Sequence, residues 1–144
     1  MVAATVRPPQ LHELEAMYRQ RWQVLRQPLG MPPGSERDAR DHEADHLVAV
    51  VGDRIVGSAR LSPLSAQVGG IAYVAVSPEF SRQGIGTQLM QALIERGRQA
   101  GFQRLEAKVR LPVLAFYQKL GFRETSERFA FLGIPHVWMA LDLD

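Results

Sequence analysis

Two short segments of this 144-residue chain carry residue types at spacings that could do chemistry. The first is Ser81-Arg82-Gln83-Gly84-Ile85-Gly86-Thr87, which follows a β-branched run and opens onto an apolar pattern with helical spacing. The first turn of a helix leaves backbone N–H groups unpaired, and those donors together with the helix dipole bind anions. Glycines at 84 and 86 let phosphate oxygens approach the backbone, and Arg82 adds charge. Two other kinds of glycine loop fail on spacing. A dinucleotide fingerprint needs a third glycine where Leu89 stands, and a Gly-Lys-Ser/Thr phosphate loop needs lysine where Thr87 stands. Taken alone, the motif is equally a glycine turn that binds nothing.

The second segment, His42-Glu43-Ala44-Asp45-His46, matches the H-E-x-x-H pattern of zinc proteases. That chemistry needs both histidines on one face of a stable helix, a third ligand, and the glutamate as base. The preceding Arg37-Asp38-Ala39-Arg40-Asp41 offers no apolar helix face, and a β-run starts at Leu47. The extended pattern needs glycine and histidine where Ala49 and Gly52 stand. The expectation is a solvated loop with no metal. A zinc hydrolase would instead show stoichiometric zinc and inactivation by a chelator.

The elements that must position these residues follow from periodicity. Val2 to Arg7 reads as a short strand. Leu11 to Leu25 reads as an amphipathic helix with Leu11, Leu14, Tyr18, Trp22 and Leu25 on its core face. Pro28 to Gly34 breaks it, and Ser35 to Asp45 is a polar loop or a short exposed helix. Leu47–Val51 and Ile55–Leu61, joined by Gly52-Asp53-Arg54, read as a hairpin. Val68 to Val76 is a further strand. Ile85 to Ala100 is the clearest helix, with Ile85, Leu89, Met90, Leu93 and Ile94 on one face and Gly101 at its end. Leu105–Val109 is a strand, and Pro112 to Leu120 is a helix closed by Gly121. Phe122–Glu124 and Val137–Leu143 are closing strands. This order predicts one α/β domain over residues 1–144, with a single mixed, mostly antiparallel sheet flanked by helices.

Composition bounds the functions available. The chain has no cysteine, which excludes disulfides, thiolate metal sites and a cysteine nucleophile. Lysine and arginine number 17 against 15 acidic residues, and the loosely grouped basic residues from Arg96 to Arg110 enclose a single aromatic, Phe102, so nucleic acid is not the expected partner. Met1 to Gln10 holds no signal-like apolar run, and no stretch approaches the roughly 20 apolar residues of a membrane helix. A soluble, cytoplasmic protein is expected.

A longer segment carries a resemblance. Val74-Ala75-Val76-Ser77-Pro78-Glu79-Phe80-Ser81-Arg82-Gln83-Gly84-Ile85-Gly86-Thr87-Gln88-Leu89-Met90 resembles the coenzyme A-binding segment of the GNAT N-acetyltransferases. Ala115-Phe116-Tyr117-Gln118-Lys119-Leu120-Gly121-Phe122 is similar to that family's late Phe-Tyr-x-Lys-x-Gly-Phe segment, at the family's usual interval. Gly133-Ile134-Pro135-His136-Val137-Trp138-Met139 and Asp45-His46-Leu47 resemble the ElaA-like branch; the former also resembles the glucosamine-phosphate type. Two positions depart from the pattern. Ser81 stands where Gln or Arg is usual, which a backbone-based site tolerates. Arg110 stands where Asn is frequent.

The resemblance implies the acyl-CoA N-acyltransferase fold and direct transfer of an acetyl group from acetyl-CoA to an amine, here the primary amine of a small molecule. It assigns the pyrophosphate to Ser81, Arg82, Gln83, Gly84, Ile85, Gly86 and Thr87. It gives the strand Val74, Ala75 and Val76 to the acetyl and pantetheine groups, with the Val74 N–H as oxyanion donor and the Val76 N–H on the pantetheine arm. Tyr117 is the expected general acid beside the thiol. A free phenol lies about 1.5 pKa units above a thiol, so full transfer is uphill by roughly 2 kcal/mol and hydrogen bonding to the thiolate is the larger part of the role. The other reading of Tyr117 is core packing, for which Phe116 is the better residue. The base is open among His46, His136, Glu43, Asp45 and a water relay, with His136 the best of them. Tyr73, Arg26 and the Pro28 to Gly34 loop are expected near the acceptor, and a homodimer is compatible with the family. Rival readings are a non-catalytic acyl-CoA sensor of the same fold and a protein N-terminal or lysine acetyltransferase. Thiol release across an amine panel separates them.

Overall fold

The computed structural model describes residues 3–143. Within them eight strands form one sheet: β1 (Thr5–Arg7), β2 (Asp45–Val51), β3 (Arg54–Pro63), β4 (Val68–Val76), β5 (Arg104–Arg110), β6 (Arg123–Glu124), β7 (Phe129–Phe131) and β8 (Ile134–Asp142). Three α-helices accompany them: α1 (Leu14–Leu25), α2 (Ile85–Gln99) and α3 (Leu114–Lys119). The strand order is β1-β2-β3-β4-β5-β8-β6, with β7 also paired to β8. Only β4 and β5 run parallel. This is the mixed, mostly antiparallel sheet that the order of elements predicts. Val2, expected to open the first strand, lies outside the described residues. Among those residues no helix is long and apolar enough to cross a membrane.

Alternation along the strands gives the sheet two faces. Leu47, Ala49, Ala59, Leu61, Ile71, Leu105, Ala107, Val109, Val137 and Met139 pack with Ile85, Leu89, Met90 and Leu93 of α2 in the main core. Each fully buried Val, Leu, Ile or Met side chain there stabilises by roughly 1.5–3 kcal/mol. Gly57 lets α2 settle this close, because a Cβ at that position would stand 3.0 Å from Leu89 Cδ1 and 3.1 Å from Ala49 Cβ. On the opposite face Val48 and Val50 meet Met17 of α1. Helix α1 packs against β3 and β4, while β5 exposes Arg104, Glu106, Lys108 and Arg110 to that side, alternating with buried Leu105, Ala107 and Val109.

The helix α1 departs from its expected orientation. Leu11 is 85% exposed, Leu11–Glu13 form a 3-10 turn, and the buried residues are Met17, Gln20 and Arg21. The reason lies in the sheet beneath, which offers polar groups. Gln20 Nε2 donates to Ala75 O at 3.2 Å and Ser77 Oγ at 3.3 Å, while Ser58 Oγ donates to Gln20 Oε1 at 2.6 Å. Satisfying those buried groups outweighs the leucine stripe.

The hairpin of β7 and β8 is a second departure. Its turn is Leu132-Gly133, with φ of +53° and +74°. A leucine in the left-handed region is not a recognisable turn residue, and Pro135 argues against a strand, so β7 escaped notice and β8 starts earlier than expected. His136 consequently lies within a strand, paired across to Arg110 and to Phe129.

Candidate active site

The turn before α2 has the geometry of an anion cradle. Arg82 and Gly84 take φ of +60° and +82°. The first helical bond runs from Gln88 N to Gly84 O at 3.0 Å, so the amides of Ile85, Gly86 and Thr87 have no helical acceptor. No acidic residue stands in the first turn, which leaves the positive end of the helix uncompensated. Gly86 is not imposed by packing, since a Cβ there would make ordinary contacts with Phe116 at 3.5 Å and Val76 at 3.8 Å. The Gln83 Oε1 atom is buried without a donor at the same turn. Free amides and an unfilled glycine fit the phosphate oxygens of a coenzyme A. Ser81 is spent locally, its hydroxyl donating to Pro78 O at 2.8 Å.

Strand β4 leads into this turn and parts from β5 on the way. The parallel pairing covers Val68–Ile71 against Arg104–Ala107 and stops there. At the parting point β4 holds a bulge. Ser58 pairs with Ala75 and Arg60 with Ala72, so Tyr73 and Val74 together oppose Ala59. Tyr73 takes φ of +54°, a left-handed conformation that a tyrosine holds only under constraint. Beyond the bulge Ser77 N donates to Val56 O at 2.8 Å. Alternation therefore aims the amides of Ala75 and Ser77 at β3 and those of Val74 and Val76 at the edge β5 has left. Ala75 is the inward member, its carbonyl bonded to Gln20.

That open edge borders a cavity of about 450 Å3 on the α1 side of the sheet, lined among others by Tyr73, Val74, Arg110, Tyr117 and His136. Tyr117 is 7% exposed, and Phe116 and Phe122 pack edge-on against its ring, each at 5.4 Å between centroids. It is buried more deeply than Phe116, contrary to expectation. Burial pushes its hydroxyl far above an ordinary phenol, so it stays protonated and can donate a hydrogen bond but not serve as a phenolate base. Among the described residues no side-chain or backbone group bonds that hydroxyl.

His136 is buried between Phe129, stacked at 6.0 Å, and Phe131, edge-on at 5.4 Å. Its Nδ1 lies 2.7 Å from Ile134 O, and a carbonyl only accepts, so Nδ1 carries the proton and Nε2 the lone pair. Burial lowers its pKa, and the Arg110, Lys108 and Arg26 charges lower it further, against the Ile134 bond. It is therefore a neutral imidazole at neutral pH. The other candidate bases lie elsewhere. His46 has both nitrogens engaged, Nε2 donating to Asp41 O at 3.0 Å and Nδ1 accepting from Arg21 at 3.4 Å. Asp45 is paired with Arg96 at 2.7 Å, and Glu43 is exposed on the polar segment. The zinc-like motif is also dispersed, with His42 ending a 3-10 turn and His46 on β2.

Sequence reasoning missed what holds Tyr73. Arg21 and Arg60, both almost fully buried, place their guanidinium carbons 4.3 and 4.8 Å from its ring centre. Arg60 bonds Asp38 twice, at 2.6 and 3.1 Å, and Arg21 bonds Asp41 at 3.0 Å. Burial alone would raise the Asp41 carboxyl, but the Asp38 amide with Arg21 and Arg60 brings it below the ordinary range. The polar segment 35–45 is largely exposed and holds a short 3-10 helix at Ala39–His42, as expected, and it also delivers Asp38 and Asp41 to arginines under the sheet. Arg26 and Arg110 both donate to Leu25 O, at 3.2 and 3.1 Å, at the carbonyl end of α1. Arg26 lines the cavity as expected, whereas residues 28–34 do not.

The family model of the GNAT acetyltransferases matches residues 10–122, spanning the cradle, the split strand and Tyr117. The chain belongs to the GNAT acetyltransferase family. YjcF of Bacillus subtilis, named an N-acetyltransferase, is 27% identical over 131 residues, covering 90% of this chain and 93% of that protein. An N-acetyltransferase structure from Lactobacillus plantarum superposes with a TM-score of 0.87 at 26% identity, covering 98% of this chain and 99% of that one. Escherichia coli ElaA shares the fold, with a TM-score of 0.83 at 22% identity over 97% and 99% of the two chains.

Proposed function

We propose that this GNAT protein moves an acetyl group from acetyl-CoA directly to the primary amine of a small molecule. The observation that carries the reading is the open edge of β4 beyond the Tyr73 bulge, which borders one cavity together with Tyr117 and His136. The pyrophosphate lies on the amides of residues 85–87, and the pantetheine arm pairs with the Val76 backbone as a short extra strand. The Val74 N–H donates to the acetyl oxygen as it becomes an oxyanion. The neutral amine attacks the acetyl carbon, a C–N bond forms and the C–S bond breaks. The proton shed by the attacking nitrogen goes to His136 Nε2 and returns through water to the thiolate. Tyr117 donates a hydrogen bond to that thiolate and keeps its proton, because its burial makes ionisation costlier than at reference values.

The test is thiol release from acetyl-CoA across a panel of amines. Tyr117→Phe should lower kcat by about a hundredfold with little change in the KM for acetyl-CoA. Unchanged turnover in that variant removes Tyr117 from the chemistry. Tight acetyl-CoA binding without release on every amine and peptide supplied would make the chain a sensor. Faster release on peptide N-termini or lysines than on small amines would move the acceptor to proteins.

A further inference from the structure

The cavity beside β4 has an unbalanced charge. Five cationic side chains and two carboxylates line it. Both carboxylates are already taken, Asp38 by Arg60 at 2.6 Å and Glu106 by Arg104 at 3.1 Å. Of the five, Arg26, Arg40, Lys108 and Arg110 have no carboxylate partner among the described residues, and the exposed Arg40 donates to Pro63 O at 3.1 Å. Arg26 and Arg110 meet at a single carbonyl, that of Leu25. Lys108 follows on the same face of β5, its ammonium 3.1 Å from the centre of the Phe131 ring. Arg110 is also the cross-strand partner of His136. Arg26 acts on the other two: Lys108 and Arg110 are lowered first by burial and then by Arg26, with Asp38 opposing this at Lys108. Three like charges facing a partly enclosed space raise one another's energy until an anion joins them. None of residues 81–87 lines this cavity, so these cations are not part of the phosphate cradle.

We infer that the acceptor amine carries an anionic group, a carboxylate or a phosphate, held by Arg26, Lys108 and Arg110 while its nitrogen reaches His136. This rests on the acetyl-transfer reading above and adds the substrate class to it. Two guanidiniums and an ammonium suit the oxygens of either anion through charge-assisted hydrogen bonds. The same positive field disfavours an ammonium ion, so it favours the neutral amine that must attack. It also selects against polyamines, which bring positive charge and no anion. A space of about 450 Å3 suits a molecule of amino-acid or phosphorylated amino-sugar size.

The experiment compares matched amines that differ only in the anion: an amino acid with its amide, and glucosamine 6-phosphate with glucosamine. In each favoured pair the anionic member should show kcat/KM at least about tenfold higher, as one charge-assisted bond implies. The two pairs distinguish carboxylate from phosphate. In Arg26→Gln and Lys108→Gln that ratio should fall toward 1. Lys108 is exposed, so its replacement leaves the core intact even where the Arg26 variant fails to fold. Equal rates within both pairs, a preference for spermidine, or a ratio unchanged in the Lys108 variant overturns the inference. If no amine is acetylated, the acetyl-transfer reading fails by itself. Thermal shift with inorganic phosphate and with citrate then decides the anion site: a rise in Tm lost in Lys108→Gln supports it, and no rise sinks it.

Discussion

Under α2 the sheet meets its helix through aliphatic side chains and one glycine, while under α1 the same strands meet theirs through Gln20, Arg21, Ser58, Arg60 and Tyr73. The first face is held by burial, which is non-directional and tolerant. The second is held by hydrogen bonds, ion pairs and ring contacts, each of which needs a particular partner. The division follows use. The α2 face is a support, and the α1 face carries the bulged strand and the cavity, where fixed polar groups are needed.

The two faces should respond differently to substitution. The largest effect is expected from Arg21→Ala, which empties a fully buried site, leaves Glu36 O without its donor and takes one of two arginines from the Asp41 carboxylate, and should cost about 4 kcal/mol in urea unfolding. A loss below about 1 kcal/mol would mean that ion pairs do not hold the α1 face. Leu93→Ala on the other face removes a fully buried side chain and should cost about 3 kcal/mol. Both variants should unfold with the wild-type m-value, since both perturb one cooperative domain.

A moderate effect is expected from acid, and it belongs to the polar face. Burial lowers the pKa of His46 and His136 below their ordinary 6.5. Below that pH the unfolded chain binds protons that the folded chain refuses. Stability is therefore complete above pH 6.5 and falls as pH drops, by at most about 1.4 kcal/mol per unit for each histidine. Urea midpoints at pH 7.5 and 5.5 should differ, and the difference should shrink in a His46→Gln, His136→Gln double variant. If it does not shrink, these histidines are not the source. The smallest effect is expected from Leu11→Ser. The leucine stripe would make it costly, but its exposure predicts a change within about 0.5 kcal/mol.

The same contrast governs what could be read in advance. Helix α2 and the hairpin of β2 and β3 were legible because their apolar periodicity matched the burial they achieve. The cradle was legible because backbone donors at a helix start leave a trace as glycines between a strand and a helix. The place of Tyr117 beside the cavity is legible in its neighbourhood in the chain, whereas its depth is not. The positions of Arg26, Tyr73 and His136 by the cavity were legible in advance, but the polar network that holds Tyr73 was not. Arg21, Arg60, Asp38 and Asp41 come from three separate elements and meet only after folding. The bulge at Tyr73 left no mark, because a tyrosine at positive φ is imposed by its surroundings. Strand β7 hid behind a Leu-Gly turn for the same reason.

One feature of α1 has a bearing on how the cavity works across conditions. Its cations Arg26 and Arg110 are anchored by the Leu25 carbonyl. A carboxylate in that place would neutralise them, and acid would switch the neutralisation off. A peptide carbonyl has no proton to gain or lose in the physiological range. It steadies the guanidiniums while leaving their formal charge whole, so these two positive charges at the cavity do not depend on a neighbouring proton.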